Sequence, residues 1–543
     1  MPSVARGQRQ AAAPVPPSCP PPAAASAGPP PGPAPLPAAM EAHRQRTLAA
    51  ALDGARSVLT RLVRTAAARL AAQPTGVPLA TLELEVREAV LALGRDLLAE
   101  LVRLRGTGYR GPAYVCPCGV RLELKELAPL QQRTWFGTIT LERAVYAGAG
   151  CHERAHHVPL DAAWGLLGAV APPTDPAPLP DPDGGTLAAV APGPGPARLS
   201  PAFAAAVVEF GARLPAAEAA RLLELAVGPQ ARLAPNTVAA YTKAAGRARA
   251  QQEDAVRVRT QPPPRAERRA AFAQPPPERP ATAPDTLVVS VDGALERTQE
   301  GWKEVKLGAV YDLVARRRQG APVRVAGAMT YTATLAAAQD FGRQLLAVAQ
   351  RRGLGWARQV AVLGDGARWI WKLAARRFPQ AVQIVDWYHA RAHLWALAPL
   401  LYGEGTAAWT WLETLAGELW AAQTEGDVAV VAAAANEAWA TPRKDLPAGA
   451  PRRTQARQRE VTKAVAYFTS NASRMRYGAF RAQDLPVASG VVEGGCQSVL
   501  HARLKRPGAC WRVDSAEHLV RARAVLCSDA VAACPHPWDR LAS

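Results

Sequence analysis

Three short apolar runs that each lead into an aspartate decide the fold: TLVVSVDGA over 286–294, QVAVLGDGARW over 359–369 and AVQIVDWYHA over 381–390. Each run is rich in Val, Ile and Leu, which is typical of a buried strand. Two more strand-like runs, 304–313 and 322–333, lie between the first and the second. Amphipathic helical patterns separate or follow the later runs, so the predicted order of elements is β-β-β-α-β-α-β-α.

This order is the one found in ribonuclease-H-like folds, and it predicts such an α/β catalytic domain over 285–527. Carboxylates at the ends of neighbouring strands converge at one edge of the sheet, where ligand sites of open α/β sheets collect. Asp292 and Asp365 are two such carboxylates, and the glycines beside them allow close approach of a backbone or nucleotide. A single aspartate after a strand is more often a turn or helix cap, so the prediction rests on finding two in one domain.

A third acidic group, Glu493, stands at the start of a helix that also carries Arg503 and Lys505. The alternative for Glu493 is a solvated first-turn residue favoured by the helix dipole. Three carboxylates offer hard oxygen ligands, so the expected cofactor is Mg²⁺ or Mn²⁺. Two such ions about 3.5–4 Å apart activate a nucleophile and stabilise the leaving oxygen in phosphodiester cleavage.

The residues between the third run and Glu493 are mostly helical, and they predict a helical insertion over about 395–485. We expect most of its tryptophans to be core residues and one or two to stack on unpaired bases. They are Trp395, Trp409, Trp411, Trp420 and Trp439.

A small β-rich module precedes this domain, over 109–170. RTWFGTITLERAVYAG alternates large apolar and polar residues, as strands do. Cysteines and histidines bracket it in a pattern that resembles a zinc ribbon, although Cys-x-Cys replaces the usual Cys-x-x-Cys. The alternative is a knuckle that packs without metal. The predicted zinc ligands are Cys116, Cys118, Cys151 and His156.

The remaining segments complete the predicted organisation. Residues 199–250 contain three helical segments that look like a helix-turn-helix whose last helix reads DNA, or alternatively a helical hairpin that joins domains. The other segments are a Pro/Ala-rich disordered tail (1–38), a helical region (39–108), a linker (171–198), a Pro/Arg-rich linker (251–284) and a C-terminal tail (528–543).

Composition narrows the function. The chain of 543 residues carries a formal charge of +19, which favours a polyanionic partner, nucleic acid before membrane. No apolar run is long enough for a membrane helix, and residues 1–37 have no apolar core of a secretory signal. Eight cysteines are too few for a disulfide scaffold, and no phosphate-binding P-loop motif occurs. These features predict a cytoplasmic protein.

Five motifs in order make the chain similar to DDE transposases of bacterial insertion sequences, most of all to the ISKra-type family, which is related to Mutator-like transposases. The resemblance runs from about Tyr109 to Cys527 and includes the cysteine-rich module and the segment near 200–246. The matching stretches are VVSVDGA, GWKEVKLGAVYD, VAVLGDGARWIW, IVDWYHARAHLW and ASGVVEGGCQSVLHARLKRPGACW.

The resemblance implies roles for individual residues. Asp292, Asp365 and Glu493 would be the first, second and third catalytic acids and the Mg²⁺ or Mn²⁺ ligands. Asp386 and His389 match the Asp/Cys-x-x-His motif that follows the second acid. His389 either positions a scissile phosphate or an adjacent base, or it braces a helix that Asp386 caps. The implied DNA-backbone contacts are Lys303, Lys306, Arg503 and Lys505.

The implied function is a transposase that binds the terminal inverted repeats of an insertion sequence, cuts the DNA there and joins the ends to target DNA. Such enzymes act as homo-oligomers on paired ends. Two alternatives remain open from the sequence. One is a decayed or domesticated DNA-binding protein without chemistry, and the other is a structure-specific nuclease of the same fold.

Overall fold

In the computed structural model, contacts divide the chain at Gly54, and every element named below belongs to the second unit, Ala55–Ser543. The predicted tail 1–38, Cys151, most of the linker 171–198 and the residues 260–282 lie outside the described residues. The structure describes 78–116, 118–148, 156–164, 166, 198–229, 232–259, 283–318, 321–441, 451–452 and 454–529, with scattered helical residues between 45 and 72.

The front of the chain forms a long helix, a four-stranded antiparallel sheet in the order β1-β2-β3-β4, and a group of helices. The β2–β3 hairpin is the centre of this sheet, and its inward residues alternate with exposed ones. The elements are α1 (Leu79–Arg105), β1 (Ala113–Val115), β2 (Arg121–Thr134), β3 (Gly137–Ala147), β4 (His156–His157), α2 (Pro159–Ala163), α3 (Pro201–Arg213), α4 (Ala216–Val227) and α5 (Pro235–Arg259).

The second sheet has five strands in the order β7-β6-β5-β8-β9. The first three form an antiparallel meander, and β8 and β9 run parallel to β5. Its central strands are apolar and buried on both faces, as expected where helices cover a sheet. The strands are β5 (Thr286–Thr298), β6 (Gly301–Arg318), β7 (Ala321–Thr334), β8 (Gln359–Gly364) and β9 (Val382–Val385).

Helices follow or separate these strands. In the described parts of 387–482, five α-helices form a helical insertion whose buried face joins the core of the five-stranded sheet. The helices are α6 (Ala338–Arg351), α7 (Arg368–Arg377), α8 (Trp387–Tyr402), α9 (Thr406–Ala421), α10 (Glu425–Ala440), α11 (Gln455–Asn471), α12 (Tyr477–Ala482), α13 (Gly490–Gly495), α14 (Ala502–Leu504) and α15 (Val513–Leu526), with a π-helical turn, Cys496–His501, between α13 and α14.

Two glycines reveal which face of the sheet each helix covers. A Cβ at Gly308 would meet Phe341 of α6, whereas a Cβ at Gly495 would meet Leu307. Leu307 and Gly308 are neighbours on β6 and therefore point to opposite faces of the sheet. Helix α6 covers one face, and α13, which carries Glu493, covers the other.

Helix α5 changes one predicted bound of 199–250 and bears on the choice between its two interpretations. It continues to Arg259 rather than ending near 250, and it is packed against α3, α4, α6 and α15. Its residues Val238 and Tyr241 are buried, and a Cβ at Gly246 would lie 1.9 Å from the carbonyl oxygen of His518. A helix that reads a DNA groove needs an exposed face, so this packing favours the alternative of a helical unit that joins domains.

None of the helices in the described part of the chain combines the length and the apolar character needed to cross a membrane.

Candidate functional site

Asp292 and Asp365 lie side by side because of the strand register. The parallel pairing of β5 with β8 matches Ser290 with Leu363, and the same offset brings Asp292 beside Asp365. Residues that are in register on neighbouring parallel strands share one face of the sheet. Asp292 does not end its strand as predicted: β5 continues to Thr298, paired with β6 along this stretch and bridged to Trp511 at Thr298.

The carboxylate of Asp365 is held in a partly buried turn. Its Oδ1 accepts a hydrogen bond of 2.8 Å from the backbone N–H of Ala367, and its carbonyl accepts one of 2.9 Å from the hydroxyl of Tyr467. Burial raises the pKa of Asp365, and the negative charge of Asp292 raises it further. Two carboxylates that repel each other in this way are a favourable setting for a cation.

Glu493 reaches the same face of the sheet on α13. Asp292 pairs with Leu307 across β5 and β6, and Leu307 is the residue against which α13 packs at Gly495. The thiol of Cys496 donates to Oδ2 of Asp292 over 3.2 Å. Burial and the Asp292 charge raise the pKa of Cys496, so this group stays a thiol and a donor. This hydrogen bond links the segment that carries Glu493 directly to Asp292.

Asp386 is a buried residue that joins two segments of the chain by hydrogen bonds. It is fully buried, its Oδ1 caps α8 by accepting 2.9 Å from the N–H of His389, and its Oδ2 accepts from the N–H of Ser489. Ser489 immediately precedes α13, so one carboxylate joins the end of β9 to the segment that carries Glu493. The helix cap predicted for Asp386 is present, and the link to Ser489 was not predicted.

His389 faces Glu493. Its Nε2 lies 4.0 Å from Oε1 of Glu493, and both side chains are about half exposed. Among the described residues, Asp386, His389 and Glu493 form a group whose ligand atoms all lie within 4.8 Å of one another. The predicted set of Asp292, Asp365 and Glu493 does not meet this distance, although the charges of Asp292 and His389 both act on Asp365.

The donor chemistry fits Mg²⁺ or Mn²⁺. Asp292, Asp365 and Glu493 supply carboxylate oxygens on one face, and the pKa of Asp365 is raised by burial and, to a smaller extent, by the charge of Asp292. Asp386 fits less well as a ligand, because both of its oxygens already accept backbone hydrogen bonds.

The four predicted DNA contacts divide into two pairs. Lys303 and Lys505 are exposed. Lys306 is buried, with its Nζ 2.9 Å from Glu304, and Arg503 is buried and donates to the carbonyls of Gly211 and Ala212. A phosphate contact needs a donor that faces solvent, so the expectation for these two residues is revised: both hold internal structure.

Two residues near Asp292 were not predicted as part of the site. Glu296 follows Asp292 by four positions on β5 and is buried, and His501 of the π-helical turn lies 3.5 Å from it. Burial raises the pKa of Glu296 and lowers that of His501. Strand alternation from Asp292 could have identified Glu296, but nothing in the sequence indicates a π-helical turn.

The predicted zinc ligands have a different arrangement. Cys116 and Cys118 form a disulfide, Nε2 of His156 lies 3.2 Å from Nζ of Lys125, and Cys151 is outside the described residues. Cysteines in a disulfide supply no thiolate to a metal. The zinc site therefore stays a prediction for the reduced protein.

No protein-family model matches the chain, and no curated protein matches it either.

Proposed function

We propose that the protein is a metal-dependent DNA transposase with Asp292, Asp365 and Glu493 as its catalytic acids. The observation that carries the proposal is the convergence of these acids on one face of the sheet: two by strand register, the third on a helix fastened to Asp292. An antiparallel β5–β7 meander followed by parallel β8 and β9 supports a ribonuclease-H-like fold.

Mg²⁺ or Mn²⁺, when bound to these carboxylates, supplies charge neutralisation and activation of an attacking oxygen. The protein's own contribution is to orient the carboxylates. Asp386 and Cys496 keep α13 against the sheet. His389, exposed beside Glu493, donates a hydrogen bond to a scissile phosphate or an adjacent base.

Substrate DNA is held by basic and aromatic groups around this edge. Lys303 and Lys505 are exposed, and the charge of Lys505 acts on Cys496 and Glu296 beside the acids. In the helical insertion, Trp395 and Trp409 are about half exposed and meet edge to face at 4.2 Å. Exposed aromatic rings of this kind stack on unpaired bases.

The proposed substrates are the terminal inverted repeats of an insertion sequence and a target duplex. The chain's charge of +19 supports tight phosphate binding. Such an enzyme works in the bacterial cytoplasm, at the nucleoid, and acts as a homo-oligomer on paired ends.

The test is a cleavage and strand-transfer assay with Mg²⁺ on duplexes that carry the inverted repeats flanking the coding sequence. Asp292→Asn, Asp365→Asn and Glu493→Gln each keep the shape of the side chain and remove a charged oxygen. We expect each to lower cleavage by about 10³-fold or more, a loss typical of essential electrostatic groups, while DNA binding persists through phosphate contacts. Asp340→Asn, at a partly exposed carboxylate of α6 that pairs with Arg343, is the matched control and should cleave normally.

The same assay separates the alternatives. Mg²⁺-dependent cleavage without joining of the 3′ ends would identify a nuclease, and specific binding without cleavage would identify a non-catalytic DNA-binding protein. Normal cleavage by one of the three variants would remove that residue from the site.

A further inference from the structure

The turn that carries Asp365 contacts the helical insertion as well as the sheet. The hydroxyl of Tyr467, on α11, donates a hydrogen bond of 2.9 Å to the backbone carbonyl of Asp365, although the two residues are 102 positions apart. The carboxylate of Asp365 has a different partner, the N–H of Ala367. The backbone of the second acid is therefore attached to α11, while its side chain is oriented by the turn itself.

Gly366 leaves the space that Tyr467 fills. Its φ is +102°, a value that residues with a Cβ rarely adopt, and a Cβ there would lie 2.5 Å from Cε2 of Tyr467. The aromatic ring consequently packs directly on the backbone of the turn. The sequence predicted that the glycines beside the two aspartates allow close approach of a backbone or nucleotide. At Gly366, the group that approaches is a side chain of the insertion.

Tyr467 is itself held in place by its neighbours. His393 of α8 stacks on its ring, with the two ring centroids 3.7 Å apart and the planes 24° from parallel. The adjacent Phe468 is fully buried in the core of the five-stranded sheet. Burial raises the pKa of Tyr467, and the charges of Asp365 and Asp386 raise it further, so the hydroxyl stays protonated and remains a donor.

One side of α8 supports two of the three acids. His389 and His393 are four positions apart, so they lie on the same side of the helix, one turn from each other. Nε2 of His389 lies 4.0 Å from Oε1 of Glu493, and His393 packs on the tyrosine that bonds to Asp365. The insertion therefore contributes contacts to the site as well as exposed tryptophans.

Packing alone does not account for the hydroxyl of Tyr467. A phenylalanine would fill the same space beside Gly366 and would stack on His393 equally well. The hydrogen bond of the hydroxyl ends on the residue whose carboxylate is a proposed metal ligand. A ligating side chain has to be held within about 0.5 Å of its productive position, and hydrogen bonds from surrounding residues supply this restraint in metal sites.

We propose that Tyr467 and His393 are positioning residues for the second acid: Tyr467 fixes the backbone of Asp365, and His393 fixes the ring of Tyr467. The inference rests on the proposed function, because it assigns the pair to the turn of a proposed metal ligand. The pair acts through Asp365 and does not touch the reacting atoms.

The first test is hydrogen exchange, measured by mass spectrometry on the full-length chain without metal or DNA. Tyr467→Phe removes the hydroxyl and keeps the ring, so residues 364–368 should exchange about tenfold faster because their turn loses a hydrogen bond. Exchange in β5 and β9 should stay as in the wild type. Tyr402→Phe is the matched control: Tyr402 is a half-buried tyrosine of α8 that packs on Trp411, and its substitution should leave 364–368 unchanged.

The second test is Mn²⁺ binding, measured by titration calorimetry without DNA on protein first stripped of metal with EDTA. Tyr467→Phe should weaken binding by about tenfold, the scale of a lost contact to a ligating residue. Asp365→Asn removes a charged ligand oxygen and should weaken binding further. Tyr402→Phe should bind Mn²⁺ as the wild type does.

Two variants of His393 separate its ring from its imidazole chemistry. His393→Ala should reproduce both changes of Tyr467→Phe, and His393→Phe should restore wild-type exchange and Mn²⁺ binding, because it keeps an aromatic ring against Tyr467. In the cleavage assay, kcat should fall about tenfold in Tyr467→Phe and in His393→Ala, while KM for DNA stays unchanged. Circular dichroism checks folding, and His393→Gln replaces His393→Ala if the latter unfolds.

The outcomes are distinct. Wild-type exchange at 364–368 in Tyr467→Phe would overturn the proposal whatever the protein catalyses. Faster exchange with unchanged Mn²⁺ binding, while Asp365→Asn binds weakly, would show a contact that serves packing only. His393→Phe behaving like His393→Ala would remove His393 from the pair. Wild-type Mn²⁺ binding by Asp365→Asn would instead count against the proposed function, on which the inference rests.

Discussion

The two candidate metal centres of this protein are built in opposite ways. At the edge of the five-stranded sheet, the candidate carboxylates lie on β5, in the turn after β8 and on a helix that hydrogen bonds to β5, and the fully buried Asp386 joins these parts. In the β module, two of the ligands lie in a short turn after β1, where Cys116 and Cys118 form a disulfide, and the exposed His156 faces Lys125.

The difference shows what makes a set of donor residues a site. Carboxylates whose backbone positions are fixed by register and buried hydrogen bonds stay in place whether or not a cation is present. Ligands in a turn depend on the metal itself for their arrangement, because binding energy there is folding energy. The following predictions test this contrast.

The largest effect is expected from a substitution of Asp386. Asp386→Ala removes the cap of α8 and leaves the N–H of Ser489 without its acceptor, so it should lower the free energy of unfolding by about 3 kcal/mol. Cleavage per folded molecule should fall as well, because α13 is no longer held against the sheet. The measurements are chemical denaturation and single-turnover cleavage on one preparation.

The control for Asp386→Ala is Thr424→Ala, which removes the N-cap of α10 in the helical insertion. It should lose about 1 kcal/mol of stability and keep normal cleavage per folded molecule. Equal cleavage per folded molecule in Asp386→Ala and Thr424→Ala would reduce Asp386 to an ordinary helix cap.

His389→Ala should lower the rate of cleavage by about 10²-fold, the scale of a lost acid-base or electrostatic contact. Its melting temperature should hardly change, because the side chain is 40% exposed at the start of α8. Single-turnover kinetics and thermal melting of the same preparation test this. A destabilised variant with normal cleavage per folded molecule would show that His389 only braces the helix.

Asp365→Asn should stabilise the fold by about 1 kcal/mol or less at neutral pH. The pKa of Asp365 is raised by burial and by Asp292, so its ionisation opposes folding above that pKa. This destabilisation decreases as the pH falls through the raised pKa towards about 3.9, the pKa of Asp in the unfolded chain. Asparagine keeps the oxygen that accepts from Ala367.

Denaturation of Asp365→Asn and of the wild type from pH 4 to pH 8 checks this prediction. The stability gain should be full at neutral pH and clearly smaller near pH 4, because it vanishes only below both pKa values. A variant less stable than the wild type at pH 7 would contradict a raised pKa of Asp365 in the folded protein.

The smallest effect on cleavage is expected from the β module. Reduced protein should bind about one zinc per chain through Cys116, Cys118, Cys151 and His156, and oxidised protein should bind none, because thiolates are the ligands. Cleavage per folded molecule should be the same in both. Zinc bound by the oxidised protein, or absent from the reduced protein, would contradict the predicted ligand set.

The sequence by itself determined the strands and two of the acids. Apolar runs of β-branched residues mark β5, β8 and β9, because only a sheet covered on both faces buries them. Asp292 and Asp365 are 73 positions apart, which equals the register offset of β5 and β8; the order of elements predicts the two strands, and the observed pairing supplies the register. The N-cap role of Asp386 also follows locally, from an aspartate placed just before a helical pattern.

The tertiary structure alone decided the rest. Glu493 lies over the same face of the sheet as Asp292 because Gly495 lets α13 approach Leu307 and because Cys496 and Ser489 bond to distant aspartates. Lys306 and Arg503 are buried, and the packing of α5 favours a helical unit that joins domains over a helix that reads DNA. The local sequence determines helix and strand propensity and the periodicity of apolar residues. These outcomes depend instead on contacts between segments more than a hundred residues apart, where close packing and buried hydrogen bonds fix the arrangement.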